Sequence, residues 1–272
     1  MISIQAIWDD TLAFIRREQA LLVPVALATI GVSSLVIQLI QNNIASMSKT
    51  WLPLVFVAGL LAIIVDIVGQ LAVTALALRS HLSVREALAI GAQRMWVMVA
   101  ATLLVALVFG LLLVPLTASI MGQLRMVNGM PDFGSIHPDG GVALWGLVVL
   151  LSSFWANLRL TTLAPMIVDR KIGVIDALKG AFQQNKGLVW KLLLTFGLMF
   201  VVFMVLSVAV GITLGTAFVL LGKAINSPST GQMLVALVTA VLGTAYRVVM
   251  VVFIAKLYQR LVGGSELEQI FG

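Results

Sequence analysis

The chain contains six predominantly apolar stretches of about twenty residues or more, near 20–40, 51–78, 96–122, 142–168, 188–222 and 231–257. About twenty such residues in a helix cross the hydrocarbon core of a bilayer. Continuous runs, in place of alternation over about ten residues, select helices over a closed barrel. Composition agrees: 61% of the 272 residues are hydrophobic and 10% charged, with mean hydropathy +1.10. A soluble domain carries roughly a quarter charged residues, so this chain has too few to wet a globule. Lipid is then the main solvent, and each backbone polar group needs a partner within the chain. The expected fold is an all-α integral membrane protein, a single polytopic domain over 1–272 with six transmembrane helices.

Basic residues set the expected orientation. One side of the spans collects Arg16, Arg17, Arg79, Arg85, Arg94, Arg170, Lys171, Lys179, Lys186, Lys191, Lys256 and Arg260; the other has Lys49, Arg125 and Lys223. Twelve against three places the first side, and both termini, in the cytoplasm. The net charge of +6 is read as this bias and not as a nucleic-acid surface. Asp9, Asp10 and Glu18 occupy the places where a cleavable signal needs a basic region and an apolar core, so the first segment is expected to be mature structure.

Three polar connectors on the basic side carry helical periodicity. In 83–95, Val84, Ala87, Leu88, Gly91 and Met95 fall on one face, and Ser83 with Glu86 forms a capping box. In 173–185 the face is Val174, Ala177, Leu178, Ala181 and Phe182; near the amino terminus it is Ile4, Ile7, Trp8, Leu12 and Ile15. Each is expected to be a short amphipathic helix in the interface. Offsets of about ninety and about eighty residues superpose the three, which suggests internal repeats near 1–80, 81–170 and 171–261. The spans then group as three hairpins, each preceded by an interfacial helix.

A family resemblance enters on particular residues. Leu163-Ala164-Pro165-Met166-Ile167-Val168-Asp169, then Ala177-Leu178-Lys179-Gly180-Ala181-Phe182, then Trp190-Lys191 and an apolar run resemble a signature of the membrane domain of glycerophosphoryl diester phosphodiesterases and its stand-alone bacterial relatives. The ending Ala255-Lys256-Leu257-Tyr258-Gln259-Arg260 is similar to that family's closing segment. The resemblance implies a multi-helix bundle in a bacterial inner membrane. It does not import catalysis, because that chemistry belongs to a separate soluble barrel for which this chain has no room.

Charges inside the spans are the informative residues, since a central Asp or Arg costs about 2.5–3.5 kcal/mol to insert. Asp66, Arg159 and Arg247 fall in the second, fourth and sixth runs, and Gln70 lies one turn from Asp66. Arg159 and Arg247 each stand about ten residues before a span end, which puts them roughly 15 Å deep. They suggest a ligand site, with Asp66 orienting one arginine while the other binds an anionic group such as a lipid phosphate. A bundle-specifying ion pair with a snorkelling second arginine is the structural alternative. Arg85, Arg94, Lys179 and Lys186 are candidate headgroup contacts. Gly211 and Gly215 suggest close helix packing, Pro24, Pro53, Pro115 and Pro165 kinks or helix starts, and Trp51, Trp96, Trp145, Trp155 and Trp190 interfacial anchors. His81 and His137 read as solvated.

The sequence has no cysteine, and no metal-ligand spacing, phosphate loop or Ser/His/Asp constellation stands out. The expected function is that of a non-enzymatic inner-membrane protein associated with lipid, handling phospholipid or supporting a membrane or lipid-metabolising partner, with no cofactor. The rival is a small-solute permease that uses Asp66 and the buried arginines. No feature specifies an oligomeric state.

Overall fold

A computed structural model describes residues 3–43, 49–79, 81–127, 130–132, 139–170, 172–185 and 187–271. Six helices are long and apolar enough to cross a membrane: Ile4–Gln41, Leu52–Leu78, Val84–Gln123, Gly140–Arg170, Val189–Ala224 and Ser229–Gly263. The fold is that of a multi-pass helical membrane protein, and its six spans fall where the apolar runs do.

The first span comprises α1 (Ile4–Ala26), a π-helical turn (Leu27–Gly31) and α2 (Val32–Asn43). Pro24 lies three residues before the wide turn. The second and third spans are α3 (Leu52–Leu78) and α4 (Val84–Gln123). The fourth is broken into α5 (Gly140–Arg159) and α6 (Leu163–Arg170), and α7 (Val174–Gln184) follows as a separate connecting helix. The fifth joins α8 (Val189–Val210) to α9 (Thr216–Ala224) through a second π turn (Gly211–Gly215), and α10 (Pro228–Phe271) provides the sixth. Between α4 and α5, β1 (Arg125–Val127) pairs antiparallel with β2 (Met130–Asp132), Arg125 opposite Asp132.

The connectors correct one expectation. The capping box forms, with Ser83 N–H donating to Glu86 Oε2 at 2.9 Å and Glu86 N–H donating to Ser83 Oγ at 3.3 Å. The helix it opens does not stop at the interface but continues as α4. Residues 92–109 contain neither Gly nor Pro, so nothing interrupts the hydrogen-bond ladder. The amino-terminal segment likewise runs straight into the first span. Only 173–185 stands alone, and there Gly187 takes φ 91°, a left-handed conformation that ends the ladder.

The apolar faces of these three segments pack on protein. Ile7, Ala87 and Ala177 are fully buried, and Thr11, Gly91 and Ala181 are buried one turn later. Ile7 joins Phe253 and Leu257 of α10; Ala87 joins the largest core, formed around Leu71–Ala77 of α3 with Phe14, Leu22, Val252 and Ala255. Packing is therefore densest where the basic ends of α1, α3, α4, α6 and α10 meet. By contrast, α8 presents Leu194, Leu198, Val202, Val205 and Leu206 outward, as a lipid-facing helix does.

Close backbone approach occurs at other glycines than expected. A Cβ on Gly211 or Gly215 would meet nothing within 4 Å, because these residues flank a π turn instead of a helix contact. A Cβ on Gly91 would stand 2.6 Å from the Val68 carbonyl oxygen, so α4 reaches α3 only because this side chain is absent. Gly91→Ala is expected to cost about 1–3 kcal/mol through overpacking and to lower the melting temperature in detergent. Gly110→Ala, facing open space, is the matched control. Equal melting temperatures for the two variants would contradict this account of the α3–α4 contact.

Candidate functional site

The sequence marked three span charges, and the structure places them in two locations. Arg247 Nη1 of α10 lies 2.6 Å from Asp66 Oδ1 of α3, while Gln70 Nε2 donates to the other carboxylate oxygen at 2.7 Å. Gln70 and Asp66 meet because they are one helical turn apart. Each carboxylate oxygen is thereby occupied, and the pair is neutral. It ties the middle of α3 to α10 and leaves no spare charge for a ligand.

Arg159 belongs to neither residue's network. It closes α5, where the chain breaks over 160–162 before resuming at Leu163. Pro165 explains the break: it lacks an N–H, and its ring would clash with the carbonyl four residues earlier, at Thr161. In lipid the carbonyls freed by such a break need other donors. Fully buried Asn185 supplies one, its Nδ2 donating to the Arg159 carbonyl at 2.7 Å and also to the Thr162 hydroxyl at 3.1 Å. Arg159 then turns toward α7: Nη1 donates to Phe182 O at 3.1 Å, and the guanidinium lies 4.8 Å from the Trp155 ring centre and 5.0 Å from that of Phe182. The cation lies over both rings, whose faces carry the negative side of the quadrupole.

This position differs from the depth expected for Arg159. Because α7 and the first turn of α8 reach it, it stands level with the start of the fifth span. A groove of about 360 Å³ opens beside it, lined by Phe154, Trp155, Arg159, Gly187, Trp190 and Leu193 among others. Trp190 is 76% exposed, so the groove faces outward from the bundle. Among the described residues Arg159 has no carboxylate partner, and its buried Nε has no hydrogen-bond acceptor.

A second, larger groove of about 640 Å³ separates α8 from α10. Ile4, Gln5 and Trp8 close its end, and its walls include Leu198, Val202, Leu242 and Val249. The rings of Phe203 and Tyr246 stack across it with centres 4.2 Å apart. On α8 it runs from Leu194 to Leu206, a length of about 18 Å at helical rise.

Of the candidate headgroup contacts, Arg85 and Lys179 are exposed, Arg94 is partly exposed, and Lys186 lies outside the described residues, as does His137. The closing segment of α10 is more consequential than its sequence suggested. Lys256 Nζ donates to Ala77 O at 2.9 Å and Gln259 Nε2 to Leu78 O at 2.7 Å, capping the end of α3. Tyr258 Oη donates to Asp169 Oδ2 of α6 at 3.1 Å, and Arg260 bonds Asp10 of α1 at 2.9 and 2.6 Å. Four polar residues in five positions point to every side of a helix, which is the signal that could have found this clamp. Asn185 carried no such signal, because its role depends on a break twenty-three or more residues upstream.

In comparisons with known proteins, no family model, curated protein or solved structure matches the chain.

If the Asp66–Arg247 pair is a bridge, its members are thermodynamically coupled. Asp66→Asn is expected to lower folded yield and stability, and Arg247→Met in that background to restore much of the loss. A coupling of about 0.5–3 kcal/mol in the double-mutant cycle is the expected result. Additive effects would show that the two charges act separately.

Proposed function

We propose that this is a non-enzymatic, lipid-associated protein of a bacterial inner membrane, with both termini cytoplasmic, that holds an anionic phospholipid beside Arg159. The carrying observation is that Arg159 borders an outward-facing groove and has no carboxylate partner among the described residues. Arg159 is held by a carbonyl and two rings but by no counter-charge among the described residues, whereas the chain's other span arginine has one in Asp66. An anion arriving from the lipid phase supplies what the fold lacks, and arginine's planar fork suits a phosphate. Trp155 and Trp190 frame the groove with the side chains favoured at headgroup depth.

The groove between α8 and α10 fits the same reading. Its walls are almost wholly apolar and its length matches much of one leaflet, so it offers a place for an acyl chain. Each methylene removed from a poorer apolar contact adds a fraction of the about 0.8 kcal/mol that leaving water would give. The twelve-to-three distribution of basic residues supports the orientation. The recurrence of buried positions at Ile7, Ala87 and Ala177 supports three related hairpin units. The likeness to the membrane domain of glycerophosphoryl diester phosphodiesterases favours work alongside a lipid-metabolising partner. A permease built on Asp66 and Arg247 is less well supported, since that pair is mutually neutralised.

Native mass spectrometry of protein purified from phosphatidylglycerol-containing membranes tests this reading. The wild type is expected to retain an anionic lipid adduct. Arg159→Gln should weaken retention by about tenfold or more, as loss of a charge-assisted hydrogen bond does, and Arg159→Lys by less. Equal retention by wild type and Arg159→Gln would overturn the assignment.

A further inference from the structure

Two adjoining cavities lie at the basic end of the bundle, away from Arg159. The first, about 460 Å³, is lined by Phe14, Arg17, Glu18, His81, Lys256 and Gln259 together with the end of α3. The second, about 390 Å³, shares Phe14, Glu18 and His81, adds Arg79 and Ser83, and extends along an apolar wall that includes Leu22 and Leu76. Volumes of this size accommodate small ligands and lipid headgroups.

The cavities are electropositive. Arg17, Arg79 and Lys256 contribute three positive charges and Glu18 one negative, a balance of +2 with His81 neutral. Glu18 is itself engaged by Arg17 Nε at 3.0 Å. The α3 carboxyl end, whose free carbonyls would repel an anion, is neutralised by the Lys256 and Gln259 side chains that cap Ala77 and Leu78. Lys256 Nζ also donates to Gln259 Oε1 at 3.0 Å and lies 4.8 Å from the Phe14 ring centre, so its charge is held at the wall of the first cavity. The side chains of Arg79 and His81 make no hydrogen bond among the described residues and stand exposed on the cavity rim.

His81 adds an independent sign. Its φ of 84° lies in the left-handed region that residues with a Cβ rarely adopt. Such strain clusters at ligand sites, where the surrounding structure holds a side chain in place. Here the conformation sets the imidazole against both cavities, between the end of α3 and the start of α4.

We propose that this double cavity is a second binding site, for a phosphate-bearing anion, with Arg17, Arg79 and Lys256 supplying the charge and His81 a polar contact. Arg17 and Lys256 border the first cavity and Arg79 the second, around a shared carboxylate, Glu18, that Arg17 already pairs; guanidinium forks and an ammonium are the groups that recognise phosphate oxygens. The site does not depend on the Arg159 assignment. Its ligand is either the headgroup of an anionic lipid, with acyl chain along Leu22 and Leu76, or a soluble phosphate.

The full-length protein distinguishes these sources. In detergent it is titrated with inorganic phosphate by calorimetry; in nanodiscs of phosphatidylcholine with and without phosphatidic acid, bound lipid is counted by native mass spectrometry. Binding of inorganic phosphate assigns a soluble ligand, and retention of phosphatidic acid alone assigns a lipid headgroup. Both are measured in the Arg159→Gln background, which removes lipid held beside Arg159; there the further R17Q/R79Q substitution is expected to lower affinity at least about tenfold, and R17K/R79K to retain most of it. If the double variant does not fold, R17Q alone, altering a side chain 65% exposed, carries the comparison. The proposal is overturned if neither probe binds the Arg159→Gln protein, or if the added Gln substitutions at Arg17 and Arg79 leave its binding as it was.

Discussion

Within hydrocarbon no water is available to a polar group, so each one that enters a span must find its partner in the chain or in a ligand. This constraint organises the molecule. Asp66 enters with Gln70 and Arg247, and the three satisfy one another. At the break over 160–162, buried Asn185 reaches across from the end of α7 to the Arg159 carbonyl and the Thr162 hydroxyl. The carboxyl end of α3 is covered by Lys256 and Gln259. The buried side-chain atoms left without a partner among the described residues include one on a charged group, Arg159 Nε. The functional reading follows from that exception.

The same constraint explains the uneven packing. Where helix ends meet, polar side chains of α10 lock α1, α3 and α6 together, and the deepest core forms under them. Apolar helices have little to gain by packing on one another in lipid, so α8, which makes few polar contacts, lies outward and leaves grooves on either side of its first turns.

Much of the fold was legible from composition and run length. Six apolar stretches gave six helices, since span length is set by bilayer thickness and not by subtle packing. The Ser83–Glu86 cap was legible because it is local. Connector length was not: amphipathic periodicity marks a buried face, yet says nothing about where a helix ends, and only Gly187 carried a true stop. The candidate site divided the same way. Asp66, Gln70 and Arg247 were recognisable as costly residues, and they do come together. That Arg159 would stand apart was hidden, because it depends on Pro165 breaking the fourth span and on α7 folding back over the break. Gly91 outranked Gly211 and Gly215 for a comparable reason: which glycine permits contact depends on the partner backbone, here Val68.

The central claim is that the partner of Arg159 comes from the lipid phase. Electron cryo-microscopy of the protein in phosphatidylglycerol nanodiscs addresses it directly. The account predicts headgroup density in the groove bordered by Trp155 and Trp190, with a phosphate oxygen at charge-assisted hydrogen-bond distance from the guanidinium, about 2.7–2.9 Å. A guanidinium turned onto a carboxylate of the chain itself, with only acyl density in the groove, would contradict it.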